Sequence, residues 1–252
     1  MPNQKLYGTA LVKAKEILDF MLTTDKAPEL RDICVGVGIN KPTTLKILNT
    51  MVTIGMLRRI GTEKQYYFGT SMIGYGEKAA NDFNILNYAE DELIKLRDET
   101  DETINLGIES DDSVVLLGKW ESKHRSIRLK SQIGGKMNLY SSSMGKAILA
   151  TWDDDRLQEY TQNTKMVQIG PNTITKGTEL LNEIDRVREN GYSTDNEENE
   201  QDVYCLGFSL VKDGNLYGAF SITAPKYRMT EKKLKKYLEL AIHTQQEIEK
   251  AL

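Results

Sequence analysis

The chain has two cysteines and two histidines in 252 residues. Cys34 and Cys205 stand far apart, which excludes a disulfide framework and fits a reducing, cytoplasmic compartment. The histidines, His124 and His243, fall in a turn and in a C-terminal helical segment, and with the lone cysteines they make no zinc spacing. No nucleophile–base pair or metal cluster is apparent, so no catalytic residue, metal or cofactor is expected. No apolar run approaches the ~20 residues that span a bilayer, so no membrane partner is expected. The N-terminal segment lacks a signal-peptide core; LDFML (18–22) is short and belongs to an amphipathic helix. Repeats and low-complexity tracts are also missing. What remains is an ordinary globular composition, 39% apolar and 28% charged, with enough apolar side chains for a sizeable core.

Charge is unevenly placed. Residues 1–75 carry ten Lys/Arg and six Asp/Glu (+4), and residues 76–252 carry 23 against 31 (−8). Within the first part, residues 1–40 balance at five against five, so the whole excess lies in 41–64: Lys41, Lys46, Arg58, Arg59 and Lys64 against Glu63. The local pattern there is specific. A helix beginning at Pro28 carries Leu30, Ile33, Cys34 and Val37 at helical spacing. Gly38 supplies a sharp turn, Asn40 can cap the next helix, and Pro42 sits in its first turn, where a missing N–H costs nothing. MLRRI (56–60) and QYYFG (65–69) flank Gly61-Thr62-Glu63-Lys64 as a hairpin. Helix, turn, helix and basic hairpin make a winged helix. A short helical pair is common in all-helical proteins, but here the cationic excess coincides with the surface that would meet phosphates. Lys41, Thr43, Lys46 and Asn49 are expected in the major groove. Arg58, Arg59 and Lys64 are expected on phosphates or in the minor groove.

An amphipathic helix at 8–24 (Ala10, Leu11, Ala14, Ile17, Leu18, Met21, Leu22) is expected to pack under the helix–turn–helix. Residues 70–100 read as a helical connector, with Gly74 and Gly76 as a joint. Strands are expected at 102–110, 113–121 and 125–131. Helices are expected at 144–152, 153–161 and 180–191. A hairpin is expected at 205–212 and 216–225, and a long helix at 230–252, capped by Thr230. The fold class is therefore α+β.

Several segments, in order and spacing, resemble the IclR family of bacterial transcription regulators over nearly the full length. GINKPTTLKILNTM (38–51) resembles the family's recognition helix, with Pro42-Thr43 where Ser-Thr is usual and Lys46 where Arg is common. YYFGTSMIGYG (66–76) is similar to the wing exit. YSSSMGKAILA (140–150) keeps the Gly145-Lys146-Ala147 core but has Tyr140 in place of His. GYSTDNEENEQDVYC (191–205) and GAFSITAP (218–225) resemble two effector-domain segments, the latter with Thr223 and Ala224 in place of Ser and Gly. The resemblance implies a winged helix-turn-helix domain (1–70), a helical linker (71–100) and a GAF-like effector-binding and oligomerisation domain (101–252). It implies operator DNA, a small organic or sugar acid, and a homodimer or tetramer as partners. Carried over by position, the effector residues are Ser143, Met144, Asp195, Cys205, Ser221 and Thr223.

The residue types suit that role. Serines 141–143 precede a helix, where unpaired N–H groups favour a carboxylate. Ser221 and Thr223, two apart on a strand, face the same side. Asp195 can accept from a ligand hydroxyl, so a hydroxylated or keto acid fits best. Plainer readings exist for each: serines as helix caps, Cys205 as a small buried residue, 195–202 as a solvated acidic loop, Lys146 as a solvent-facing helical lysine. Two other functions stay open: a small-acid-processing enzyme fused to a DNA-binding domain, and an effector-independent DNA-binding protein.

Overall fold

The computed structural model describes residues 7–61, 64–82, 85–122 and 131–252, without the side chains of 80–82. The expected strand at 125–131 lies outside the described residues except for Ser131. So do His124 and the wing-tip residues Thr62 and Glu63. The chain forms two compact units, Met1–Asp82 and Phe83–Leu252.

The first unit holds α1 (Thr9–Leu22), α2 (Leu30–Val37), α3 (Lys41–Thr53), β1 (Leu57–Arg58), β2 (Tyr67–Phe68) and α4 (Ser71–Asp82). The α2 helix starts two residues later than Pro28 suggests, because Glu29 and Asp32 form a reciprocal capping box. Gly38 ends it at φ 66°, in the left-handed region that glycine enters without penalty. Asn40 Oδ1 then accepts from Thr43 N at 3.0 Å and starts α3. Ile17, Met21, Ile33, Leu48, Met51, Leu57 and Tyr66 make the core of this unit. Two expectations fail here. Leu11 shares the apolar stripe of α1 but is 77% exposed, because only the second half of α1 lies on the core. Gly74 and Gly76 do not interrupt α4, which runs through both.

The second unit comprises α5 (Ile85–Thr100), β3 (Thr103–Ser110), β4 (Ser113–Trp120), β5 (Lys136–Asn138), α6 (Ser143–Leu149), α7 (Asp154–Asn163), α8 (Gly177–Asn190), β6 (Ser193–Asn196), β7 (Val203–Lys212), β8 (Asn215–Pro225) and α9 (Glu231–Ala251). Its strands form one antiparallel sheet in the order β5-β4-β3-β8-β7-β6. Period-two alternation sorts the side chains. Ile104, Leu106, Leu206, Phe208, Phe220 and Ile222 pack on α5 and α9 through Leu93, Leu96, Tyr237 and Ala241. On the other face, Val114, Leu116 and Ala219 meet Met144, Ile148, Leu157 and Ile184 of α6, α7 and α8. Among the described residues no helix is long and apolar enough to cross a membrane.

Candidate functional sites

The α3 surface is set by its buried edge. Thr44, Leu48 and Met51 face the core, so the helical period turns Pro42, Leu45, Lys46, Asn49 and Thr53 outward. Lys41 is exposed on one flank of this stripe and Thr43 is half-buried on the other. Leu45, although apolar, is 38% exposed on this stripe. Next to this helix, Arg58 and Arg59 are exposed and lie over the rings of Tyr67 and Tyr66, at 5.2 and 5.5 Å. Arg58 Nε also donates to the Phe68 carbonyl at 3.2 Å. The ring contacts pre-order the two guanidinium groups, which lowers the entropy lost on meeting a phosphate. Lys64 is exposed beside the wing.

In the second unit the sheet face beneath α6 changes character toward β6. Register places Thr103, Thr223, Cys205 and Asp195 opposite one another across β3, β8, β7 and β6. The next row on the same face is Asn105, Ser221, Gly207 and Ser193. All of these side chains are buried. Asn105 Nδ2 donates to Thr223 Oγ1 at 3.0 Å and to Ser221 Oγ at 3.4 Å, and the two hydroxyls are 3.2 Å apart. Asn105 Oδ1 accepts from Ser131 Oγ at 3.2 Å. Periodicity reveals Ser221 and Thr223; Thr103, Asn105 and Ser193 join them only once the long-range pairing of β3 with β8, and of β6 with β7, is known.

The start of α6 closes over these rows. Ser142 caps it by accepting from Gly145 N at 3.1 Å, so the capping reading holds for that serine. Ser143 follows and is held by Ser193 Oγ, which donates to its carbonyl. Gly207 is required here: a Cβ on it would stand 2.5 Å from Ser143 C and 2.6 Å from Ser143 O. Gly207→Ala is therefore expected to cost about 1–3 kcal/mol, as an overpacked site does, and to lift α6 from the sheet. An unchanged melting temperature would refute the close approach. Met144 points toward Gly107, whose added Cβ would lie 3.6 Å from its sulfur, and joins the apolar cluster.

Asp195 and Cys205 complete the arrangement. Asp195 Oδ1 accepts from Glu198 N at 2.8 Å and Asn199 N at 3.3 Å. Burial nevertheless pushes its carboxyl up to about 7, the charge of Glu198 adding to the effect. The Cys205 thiol is pushed well above its ordinary value, first by burial and then by Asp195. It is thus a protonated hydrogen-bonding group rather than a nucleophile. Of the six carried-over residues, Asp195, Cys205, Ser221 and Thr223 thus lie on the two polar rows and Ser143 at the start of α6 above them, while Met144 belongs to the neighbouring apolar cluster.

The acidic segment 195–202 is not a simple solvated loop. It begins as edge strand β6, and Glu198 is buried against Lys146, whose Nζ lies 2.6 and 2.7 Å from its two carboxylate oxygens. Lys146 is 0% exposed, which corrects the solvent-facing reading. A separate open cavity of about 340 Å³, lined by Ala147, Ala150, Arg188, Tyr192 and Gln245 among others, contains none of the six. Its cation, Arg188, already serves Asp154 and the carbonyls of Ala150 and Trp152. Among the described residues no group of three or more His, Cys, Asp or Glu is placed to hold a metal ion.

A winged-helix head on one unit, and two buried polar rows on a sheet-and-helix unit, fit the class of transcriptional regulators that join a DNA-binding head to an effector domain. Two family models match the chain: the IclR helix-turn-helix domain over residues 10–61, and the bacterial transcriptional regulator IclR C-terminal domain over 77–250. The chain belongs to the IclR family of bacterial transcriptional regulators. It is 31% identical over 216 residues to the HTH-type transcriptional regulator KdgR of Escherichia coli K12, covering 85% of this chain and 81% of KdgR. The crystal structure of Thermotoga maritima IclR superposes with a TM-score of 0.77 at 30% identity, covering 96% of this chain and 98% of that one. An IclR homolog from Microbacterium hydrocarbonoxydans complexed with 4-hydroxybenzoate has a TM-score of 0.77 at 17% identity, covering 95% and 98%, and at that identity the likeness concerns the fold.

Proposed function

We propose that this regulator reads operator DNA through α3 and the wing and responds to a small hydroxylated or keto acid, a sugar acid included, held beneath α6. The observation that carries the effector half is the pair of cross-strand polar rows, buried on a face that is otherwise apolar. Folding gains nothing from desolvating so many hydroxyls and an amide, whereas a polar ligand can use them. Asn105, Ser221, Thr223 and the protonated Cys205 offer neutral donors and acceptors. Asp195 takes a ligand hydroxyl. Residues 1–70 act as the DNA-reading head, 71–100 as the linker, and 101–252 as the sensory and oligomerisation domain. A thermal-shift screen of gluconate, galacturonate, glyoxylate and 4-hydroxybenzoate tests the sensory half. At saturation, an effector present at 100 times its Kd adds about 2.7 kcal/mol. An Asn105→Ala, Ser221→Ala variant that kept the same shift would remove the site.

For DNA, exposure of Lys46 and Asn49 on one stripe of α3 supports reading them as base contacts, with Leu45 available to a thymine methyl. Lys46→Ala with Arg59→Ala should weaken operator binding and reduce the salt-dependence slope by about 1–2, since each phosphate neutralised contributes about 0.9. A gel-shift titration with an unchanged slope would refute the assignment. One winged helix reads a short half-site, so a homodimer or a tetramer on a pseudo-palindrome is expected, and light scattering on the DNA complex measures it.

A further inference from the structure

Lys146 has no role in the polar rows, yet it is among the largest fully buried side chains of the chain. Its ammonium spans Glu198 and, at 3.4 Å, Glu183 of α8. Glu198 lies in the strap 197–202 between β6 and β7. Asp195 and Glu198 carry several of the hydrogen bonds that shape the first half of this strap, beside those of Glu197, whose N–H donates to the Val203 carbonyl and whose own carbonyl accepts from Asn172 N. The Glu198 and Asn199 N–H groups donate to Asp195 Oδ1, and the Glu198 carbonyl accepts from Gly170 N and Thr173 Oγ1. Ser141 Oγ, from the turn before α6, donates to Asn199 Oδ1 at 3.4 Å. Glu197 and Asp202 hold left-handed backbone, φ 62° and 61°, which is uncommon for a glutamate though familiar for an aspartate in a turn.

We propose that Lys146 is a positioning residue of the effector site: by holding Glu198 it fixes the strap, and the strap fixes the carboxyl of Asp195 beside Cys205. The inference rests on the effector reading above and adds to it a residue that touches no ligand. A buried ion pair seldom stabilises a fold more than apolar side chains of the same volume, but it selects one geometry among several. Here the geometry it selects is that of a loop whose inner carboxyl faces the polar rows. A purely structural pair would be replaceable as a unit without consequence for binding; a positioning pair would not.

The test uses the full chain with Lys146→Met and Glu198→Met together, which removes both charges at once. Peptide-level hydrogen exchange over 197–203 is compared with exchange at Phe208 and Phe220 in the core strands. Binding of gluconate and of 4-hydroxybenzoate is measured by calorimetry. The expected result is unchanged core protection, at least tenfold faster exchange of the strap, and at least tenfold weaker binding of whichever acid the parent binds. Unchanged strap exchange overturns the proposal, whether or not either acid binds. A loosened strap with unchanged acid affinity overturns it as well. Asn105→Ala with Ser221→Ala separates the two readings. An acid lost in that variant but kept by the paired variant removes only the positioning role, while an acid bound equally by all removes the effector site and the proposal with it. If the core strands lose protection in the paired variant, Glu198→Gln, which keeps the volume, is read by the same criteria.

Discussion

Lys146→Met alone is expected to destabilise the effector-binding unit by about 3–5 kcal/mol, the cost of breaking a buried ion pair from one side. The ammonium fits between Glu198 and Glu183, and Glu198 has almost no solvent to turn to. Burial already raises the Glu198 carboxyl above its ordinary range, and Lys146 opposes that shift. Without Lys146 the upward shift is opposed only by the weaker hydrogen bond from Asn196 N. A carboxyl whose folded pKa lies above its unfolded value costs stability once pH passes the unfolded value, so the deficit should be largest near pH 8 and shrink toward pH 4. Denaturant unfolding of the full chain at both pH values measures it. A loss below about 1 kcal/mol at pH 8 would mean that water reaches Glu198 and that the pair is not buried in solution.

The winged helix was legible because its signals are local. Gly38, Asn40 and Pro42 act within a few residues, and the structure uses Gly38 as the turn and Asn40 as the cap. Strands β3, β4, β7 and β8 were legible because they are long and rich in apolar residues. The edge strands β5 and β6 were not, since three or four largely polar residues carry no periodicity to read. Apolar spacing also overreaches: it finds the core-facing Ile17 and Leu48 but cannot exclude Leu11 and Leu45, because the width of a buried stripe depends on what packs against it. The site divides in the same way. Ser221 and Thr223 show their common face in sequence. Asn105 belongs beside them through contacts that span 116 and 118 residues, and Lys146 meets Glu198 across 52, so an acidic tract that reads as solvated is tied to the interior.

The second large effect concerns Asp195, where two substitutions should act in opposite directions. With its carboxyl at about 7 against an ordinary 3.8, the native chain keeps a proton there that the unfolded chain has released across that interval. The penalty is absent below the unfolded value, grows by about 1.4 kcal/mol per pH unit, and is complete above about pH 7. Asp195→Asn escapes it while keeping an Oδ1 acceptor for Glu198 N and Asn199 N. The asparagine variant should therefore match the parent near pH 4 and exceed it by about 2–4 kcal/mol at pH 8. Asp195→Ala leaves the buried Glu198 N–H and the part-buried Asn199 N–H without that acceptor and should lose about 1–3 kcal/mol at pH 4. The same group should govern acid binding. Glu198 and Lys146 pair with each other nearby and Cys205 stays protonated, so Asp195 is the group on the polar rows that gains charge near neutrality. Parent affinity for an anionic effector should fall above pH 7, by up to about tenfold per unit where binding requires the protonated carboxyl. In Asp195→Asn that dependence should vanish, even though loss of the carboxyl weakens a ligand hydroxyl contact. Calorimetric titrations at pH 6, 7 and 8 decide the matter: parallel pH dependence in parent and asparagine variant would show that Asp195 does not share its site with the ligand's charge.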